Sequence, residues 1–241
     1  MPKHDTAGLI LLRADLRKYA SKEKAKILAR FFKTGPGEYG EGDVFIGVVV
    51  PDTRRVAKAY INISLPEAEE LLHSKIHEER LCAVLILIEK FRKGDQKTRE
   101  QIYKFYLENT GYINNWDLID LSAQHIVGEF LADKPKAVLY ELARSKSLWE
   151  RRIAVLSTFN YICRAKHEET LKIAEILLND EQDLIQKAVG WMLREVGKRC
   201  SEKILEDFLQ SRYKKMPRTM LRYAIERLPE ARRKAYLKGL V

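Results

Sequence analysis

Five short segments recur along this chain at nearly constant intervals, and that period constrains the fold more than any other feature. Leu81-Cys82-Ala83-Val84-Leu85, Trp116-Asp117-Leu118-Ile119-Asp120, Arg152-Ile153-Ala154-Val155-Leu156, Gln186-Lys187-Ala188-Val189-Gly190 and Arg222-Tyr223-Ala224-Ile225-Glu226 align on positions 83, 118, 154, 188 and 224, at intervals of 35, 36, 34 and 36 residues. A unit of that length holds two helices and cannot bury its apolar side alone, so it must stack on its neighbours. Elsewhere apolar residues recur at three and four, with helix punctuation at Pro51, Ser64 with Pro66, Gly94-Asp95, Lys134-Pro135, Asp180, Ser201, Pro217 and Pro229. The one β-rich run, Val44 to Val50, is short and follows the glycine-rich residues 35–42, so it reads as a loop. The expectation is about a dozen helices in an all-α, α-solenoid domain of HEAT-like helical hairpins spanning 1–241. Capping helices fill about 1–60, repeats fill about 64–241, and a concave face is left free to bind.

Charge narrows the class of partner. Forty-four Lys and Arg against thirty-four Asp and Glu leave +10, a balance suited to a polyanion, and residues 201–241 alone hold eleven basic against five acidic groups. The start, Met1-Pro2-Lys3-His4-Asp5, lacks the order of a secretory signal, and no apolar run is long enough to span a bilayer. The reading is a monomeric cytoplasmic protein, nucleoid-associated when bound to DNA, with no membrane contact. Cys82, Cys163 and Cys200 are isolated and odd in number, so they read as reduced, small apolar residues.

The same register picks out a face. Positions −2, +2 and +6 from each central residue share one helical stripe: Leu81, Leu85 and Glu89; Trp116, Asp120 and Gln124; Arg152, Leu156 and Asn160; Gln186, Gly190 and Arg194; Arg222 and Glu226. A mixed row of Arg, Gln, Asn, Asp and Trp stands where a packing face would be aliphatic, and it is expected to line the concave surface. Trp116 and Asp120 put an indole beside a carboxylate one turn apart. Arg152 follows on the next repeat, and Trp191 with Arg194 on the one after.

One carboxylate among aromatics and arginines fits a particular glycosidic chemistry. Release of a neutral leaving group normally takes two carboxylates, one of them an acid. A purine alkylated at N3 or N7 is already cationic and departs without an acid. The enzyme then supplies negative charge at C1′, aromatic faces for the cationic sugar and arginines for the phosphates. Asp120, Trp116 with Trp191, and Arg152 match those roles in that order.

The stretches Asn115-Trp116-Asp117-Leu118-Ile119-Asp120, Trp149-Glu150-Arg151-Arg152-Ile153-Ala154-Val155-Leu156 and Ile185-Gln186-Lys187-Ala188-Val189-Gly190-Trp191-Met192-Leu193-Arg194-Glu195 resemble the signatures of the AlkD-like DNA alkylation repair family. The resemblance runs from about Lys22 to the C-terminus. It implies a HEAT-like solenoid that holds double-stranded DNA with alkylated bases in its concave groove. It implies excision of positively charged N3- and N7-alkylpurines without a base-flipping pocket, by an enzyme using no cofactor and no metal. On this resemblance the catalytic carboxylate is Asp120, the aromatic partners of the deoxyribose are Trp116 and Trp191, and the catalytic arginine is Arg152. Phe31, Arg151, Gln186, Lys187, Arg194 and Arg222 are the expected DNA contacts.

Two departures accompany it. Phe31 follows Ala29-Arg30 where the family carries a tyrosine, which removes a hydroxyl, and residues 34–49 form a longer segment that closes over DNA or obstructs it. The alternative function is therefore a non-catalytic DNA-binding scaffold recognising damaged or branched DNA; a protein-binding adaptor fits the basic C-terminal segment less well. Other signals are weaker. His73 and His77, four apart with Glu78 and Glu79 adjacent, lack a third metal ligand in a fixed motif and read as a polar helix face. His125 reads as partly buried. The 35–42 stretch has no following Lys-Ser/Thr and so is no phosphate loop, and Glu38, Glu41 and Asp43 would repel phosphate.

Overall fold

Helix formation begins where side chains satisfy the first orphaned N–H groups. In the computed structural model, which describes residues 6–241, Thr6, Ser21, Ser64, Asp95 and Ser147 each cap a helix by accepting a backbone N–H. Ser64 and Glu67 complete a reciprocal capping box. The start of the expected cap, residues 1–5 with His4, lies outside the described residues. The chain is all-α, with helical hairpins repeating in the manner of an α-solenoid, and it divides into two compact units, Met1–Ser122 and Ala123–Val241.

The first unit runs α1 (Ala7–Arg17), α2 (Lys22–Phe31), α3 (Val50–Ala59), α4 (Leu65–Leu72), α5 (His77–Lys93), α6 (Gln96–Glu108) and α7 (Trp116–Ala123), whose last residue enters the second unit. Its centre is α5, whose stretch Leu81 to Leu87 is buried on every side; a helix with no polar stripe there must be enclosed by others, and α3, α4 and α6 pack on it. Leu9, Leu12 and Leu16 of α1 are fully buried at a spacing of three and four. By contrast α2 buries none of its ten residues.

The second unit opens with a π-helical turn, Gln124–Gly128, and continues through α8 (Ala137–Ala143), α9 (Leu148–Ser157), α10 (Phe159–Ile162), α11 (Glu168–Ile176), α12 (Asp183–Arg199), α13 (Glu202–Gln210), α14 (Arg218–Ala224) and α15 (Glu230–Lys238). Among the described residues there are fifteen α-helices rather than about a dozen. Positions 83, 118, 154, 188 and 224 fall on α5 and α7 of the first unit and on α9, α12 and α14 of the second, so each repeat of the period marks a helix. In the second unit α9 packs on α8 and α12, and α12 packs on α13 and α14. Gly190 permits the last contact: a Cβ there would stand 2.5 Å from the Met220 carbonyl oxygen.

Residues 34–49 are a loop, as the pattern indicates, with one isolated bridge between Val44 and Ile76. Cys82 is buried, Cys200 half-buried and Cys163 exposed, and all three are free thiols. Cys163 therefore does not fit the apolar reading. Burial pushes the Cys82 thiol up to about 12, with the nearby Glu79 charge adding to it. No helix among the described residues is long and apolar enough to cross a membrane.

Candidate functional site

Trp116 is the first residue of α7, and Asn115 before it acts from the cap position, its Oδ1 accepting the Trp116 N–H at 2.8 Å. The half-buried indole lies flat on Phe32, with ring centroids 5.1 Å apart and planes at 16°, and Phe31 meets it edge-on at 5.9 Å. Phe31 itself is 60% exposed at the end of α2, so the missing hydroxyl is replaced by an apolar ring open to solvent beside Trp116. Asp120 follows one turn later and is half-buried. Its charge reaches the buried Tyr106 phenol. Burial, and then Asp120, push the Tyr106 pKa far above its ordinary range, while the Ser122 hydrogen bond at 2.7 Å opposes them.

The first unit also places around Trp116 a cluster that the sequence does not announce. His77 is 2% exposed, not part of a polar helix face. Its Nε2 lies 2.8 Å from Asp117 and its Nδ1 lies 3.1 Å from Asp43. Arg80 donates to the second oxygen of Asp43 at 2.6 Å, and Asn115 Nδ2 donates to Asp43 at 3.1 Å. Burial lowers the His77 pKa, but the charge and hydrogen bond of Asp117 and the hydrogen bond of Asp43 outweigh it, leaving it at about 8. Burial also works against the Asp43 carboxylate, yet His77, Arg80 and Asn115 hold its pKa below the ordinary value. His73 is exposed and pairs its ring with Tyr112 at 3.7 Å, so the two histidines are not neighbours in one site. His125 is exposed, where the sequence suggested partial burial, because it sits in the π turn with its neighbours Ile126 and Val127 taking the interior.

The second unit carries the remaining candidates. Arg152 is only 5% exposed, and its Nη1 donates to the Leu184 carbonyl at 2.5 Å. Arg151 is engaged with Asp180 at 2.7 Å and with the Ser145 and Lys146 carbonyls at 3.0 Å. Gln186 donates to the Asp180 carbonyl, Lys187 pairs with Asp183, and Arg194 with Glu226. Trp191 is half-buried with Phe159 tilted toward it at 6.1 Å, and Arg222 is exposed.

The register row is thus less open than expected. Leu81, Leu85, Glu89, Arg152, Leu156 and Gly190 are buried; Trp116, Asp120, Gln124, Asn160, Gln186 and Arg194 are half-buried; and only Arg222 and Glu226 are exposed. Within their own units α5, α9 and α12 are each packed by several neighbouring helices, so a four-residue stripe spends many of its members on contacts.

Within each unit the fold is a layer of helices whose free positions carry aromatic, acidic and cationic groups, the make-up of a repeat protein for a charged partner. The chain matches the model of the DNA alkylation repair enzyme family over residues 12–228, and it belongs to that family. Its structure is similar to that of a predicted DNA alkylation repair enzyme from Enterococcus faecalis, with a TM-score of 0.66 and 17% sequence identity over 88% of this chain and 97% of the other. No curated protein matches the sequence.

Proposed function

We propose that this protein is a DNA glycosylase that hydrolyses the N-glycosidic bond of N3- and N7-alkylated, positively charged purines in duplex DNA. The observation that carries the reading is the pairing on α7: a carboxylate at Asp120 one turn from an indole whose ring is fixed by Phe32 and Phe31. As the bond between C1′ and the purine nitrogen breaks, its electrons leave with the base, whose positive charge they neutralise, so no acid is needed. Positive charge grows on the sugar. Asp120 offsets it electrostatically and orients the water that adds to C1′, whose released proton passes to the Asp120 carboxylate and on to solvent, and the faces of Trp116 and Trp191 are assigned to the cationic sugar. Arg152 is assigned to the flanking phosphate. Lys and Arg side chains supply most of the affinity, so binding depends on salt more than on base sequence.

A second reading, a DNA-binding scaffold without excision, has one observation in its favour: Arg152 is buried and engaged with the Leu184 carbonyl. Release of 7-methylguanine and 3-methyladenine from methylated duplex, with binding followed in parallel, separates the two. The glycosylase reading expects release by the wild type and loss of release with binding retained for Asp120→Asn. Binding without release by either protein selects the scaffold. Efficient release of a neutral base such as uracil would contradict the single-carboxylate mechanism.

A further inference from the structure

Residues 43–48 are tied to three helices of the first unit at once. Glu78, near the start of α5, uses its carboxylate to accept the N–H groups of Ile46, Gly47 and Val48 at 2.8–3.2 Å. Ser21, at the cap of α2, donates its N–H to the Ile46 carbonyl at 3.0 Å. Gly47 sits so close to that helix end, in the left-handed region at φ +84°, that a Cβ would lie 2.0 Å from the Ser21 carbonyl oxygen. Both sides of the Val44 backbone are used, its N–H by the Lys75 carbonyl and its carbonyl by the His77 N–H. The segment therefore does not hang free.

Two of its side chains reach toward Trp116. Asp43 accepts from Asn115 Nδ2, and Asn115 Oδ1 in turn accepts the Trp116 N–H, so a single amide couples the loop to the first turn of α7. Phe45 stacks on Phe32 with centroids 5.0 Å apart and planes at 21°, and Phe32 stacks on Trp116. The His77 ring meets both phenylalanines, its centroid 4.6 Å from Phe45 and 4.9 Å from Phe32. The four rings form one aromatic cluster in which Phe45 and Trp116 both pack on Phe32. His77 anchors it through Asp117, itself the second residue of α7.

We infer that residues 43–48 are a positioning clamp for Trp116, in which Asp43 fixes the Asn115 cap of α7 and Phe45 backs the Phe32–Trp116 stack. Asp43, Phe45 and Asn115 are positioning residues that act through Trp116 and the helix that carries Asp120. The consequence for activity rests on the glycosylase reading; the consequence for the indole does not. A side chain that must meet a sugar cation is useful only if its plane is set before the substrate arrives, because a misplacement of about 1 Å costs about 100-fold in rate.

The test uses the full chain labelled with 5-fluorotryptophan, whose three tryptophans give three fluorine resonances, the Trp116 signal being assigned with Trp116→Phe. Asp43→Ala and Asn115→Ser, the latter keeping a cap oxygen but no reach to Asp43, are expected to shift or broaden the Trp116 signal and leave those of Trp149 and Trp191 in place. Under single-turnover conditions both variants should release 7-methylguanine from methylated duplex about 10- to 100-fold more slowly, with the dissociation constant for that duplex changed by less than about 3-fold. An unmoved Trp116 signal overturns the clamp, and so does a loss of rate matched by an equal loss of affinity. If the wild type releases no base, the glycosylase reading fails, while the fluorine spectra still decide the clamp. Should Asp43→Ala not fold, Asn115→Ser provides both readouts, since it leaves the contacts of Asp43 with His77 and Arg80 intact.

Discussion

His77 Nε2 and Asp117 Oδ2 lie 2.8 Å apart in the interior of the first unit, while the opposite ring nitrogen faces Asp43 at 3.1 Å. Two carboxylates on two ring nitrogens require both nitrogens to donate, and only the imidazolium does so. Arg80, on Asp43, is the other cation of the cluster. The native state thus keeps a proton that the unfolded chain releases near the ordinary histidine pKa.

A pH dependence of stability follows. The pKa of His77, raised from 6.5 to about 8, corresponds to a stabilisation of about 2 kcal/mol that is fully present below pH 6.5 and lost as pH rises through 8. Urea unfolding midpoints for the wild type should fall between pH 6 and pH 9. The same measurement on His77→Gln should show a flatter profile over that range. Equal slopes for the two proteins would mean that the buried proton is not held as the geometry requires.

Position 77 also marks where the sequence stopped being legible. The repeating helices could be read because a period near 35 is a local, repeated signal, and positions 83, 118, 154, 188 and 224 do fall on five helices. Trp116 and Asp120 share α7 for the same reason. His77 was misread because its partners Asp43 and Asp117 are 34 and 40 residues away, and nothing periodic connects them. The partners of the nearby acidic residues are also beyond what a period can show. Glu38 and Glu41 close their own turns on the Gly35 and Gly37 N–H groups, and Asp43 is spent on His77, Arg80 and Asn115.

The hydroxyl pair beneath α7 offers a cleaner test of buried polar packing. Tyr106 is fully buried with its hydroxyl 2.7 Å from Ser122 Oγ, and Ser122 donates to the Leu118 carbonyl at 2.6 Å. Ser122→Ala should destabilise by about 1–3 kcal/mol, because it strands the phenol hydroxyl away from water. Adding Tyr106→Phe should recover most of that loss, giving a strongly non-additive double-mutant cycle in denaturant unfolding. Additive losses would mean that the hydroxyl finds another partner.

Close helix approach in the second unit makes Gly190 intolerant of even one carbon. An added Cβ meets the Met220 carbonyl oxygen and the Tyr223 Cβ at 2.5 Å, and neither is the movable end of a side chain. Gly190→Ala should therefore cost about 1–3 kcal/mol by forcing α12 and α14 apart, despite the better helix propensity of alanine. Gly111→Ala, where nothing lies within 4 Å, is the control and should change stability by less than about 0.5 kcal/mol.

Arg151 and Arg222, both expected as DNA contacts, separate by what already surrounds them. Arg151 holds Asp180 and two backbone carbonyls, so Arg151→Ala leaves a nearly buried carboxylate without its cation and should lower stability by about 1–3 kcal/mol. Arg222 is exposed at the end of α14, and Arg222→Ala should leave unfolding unchanged. If Arg222 contacts a phosphate, its loss should weaken duplex binding uniformly across sequences and lower the slope of log affinity against log salt by about 1. Titrations of one duplex at several salt concentrations measure that slope directly. An unchanged slope for Arg222→Ala would remove Arg222 from the interface, and a reduced slope for Arg151→Ala with unchanged stability would show that Arg151 exchanges Asp180 for a phosphate on binding.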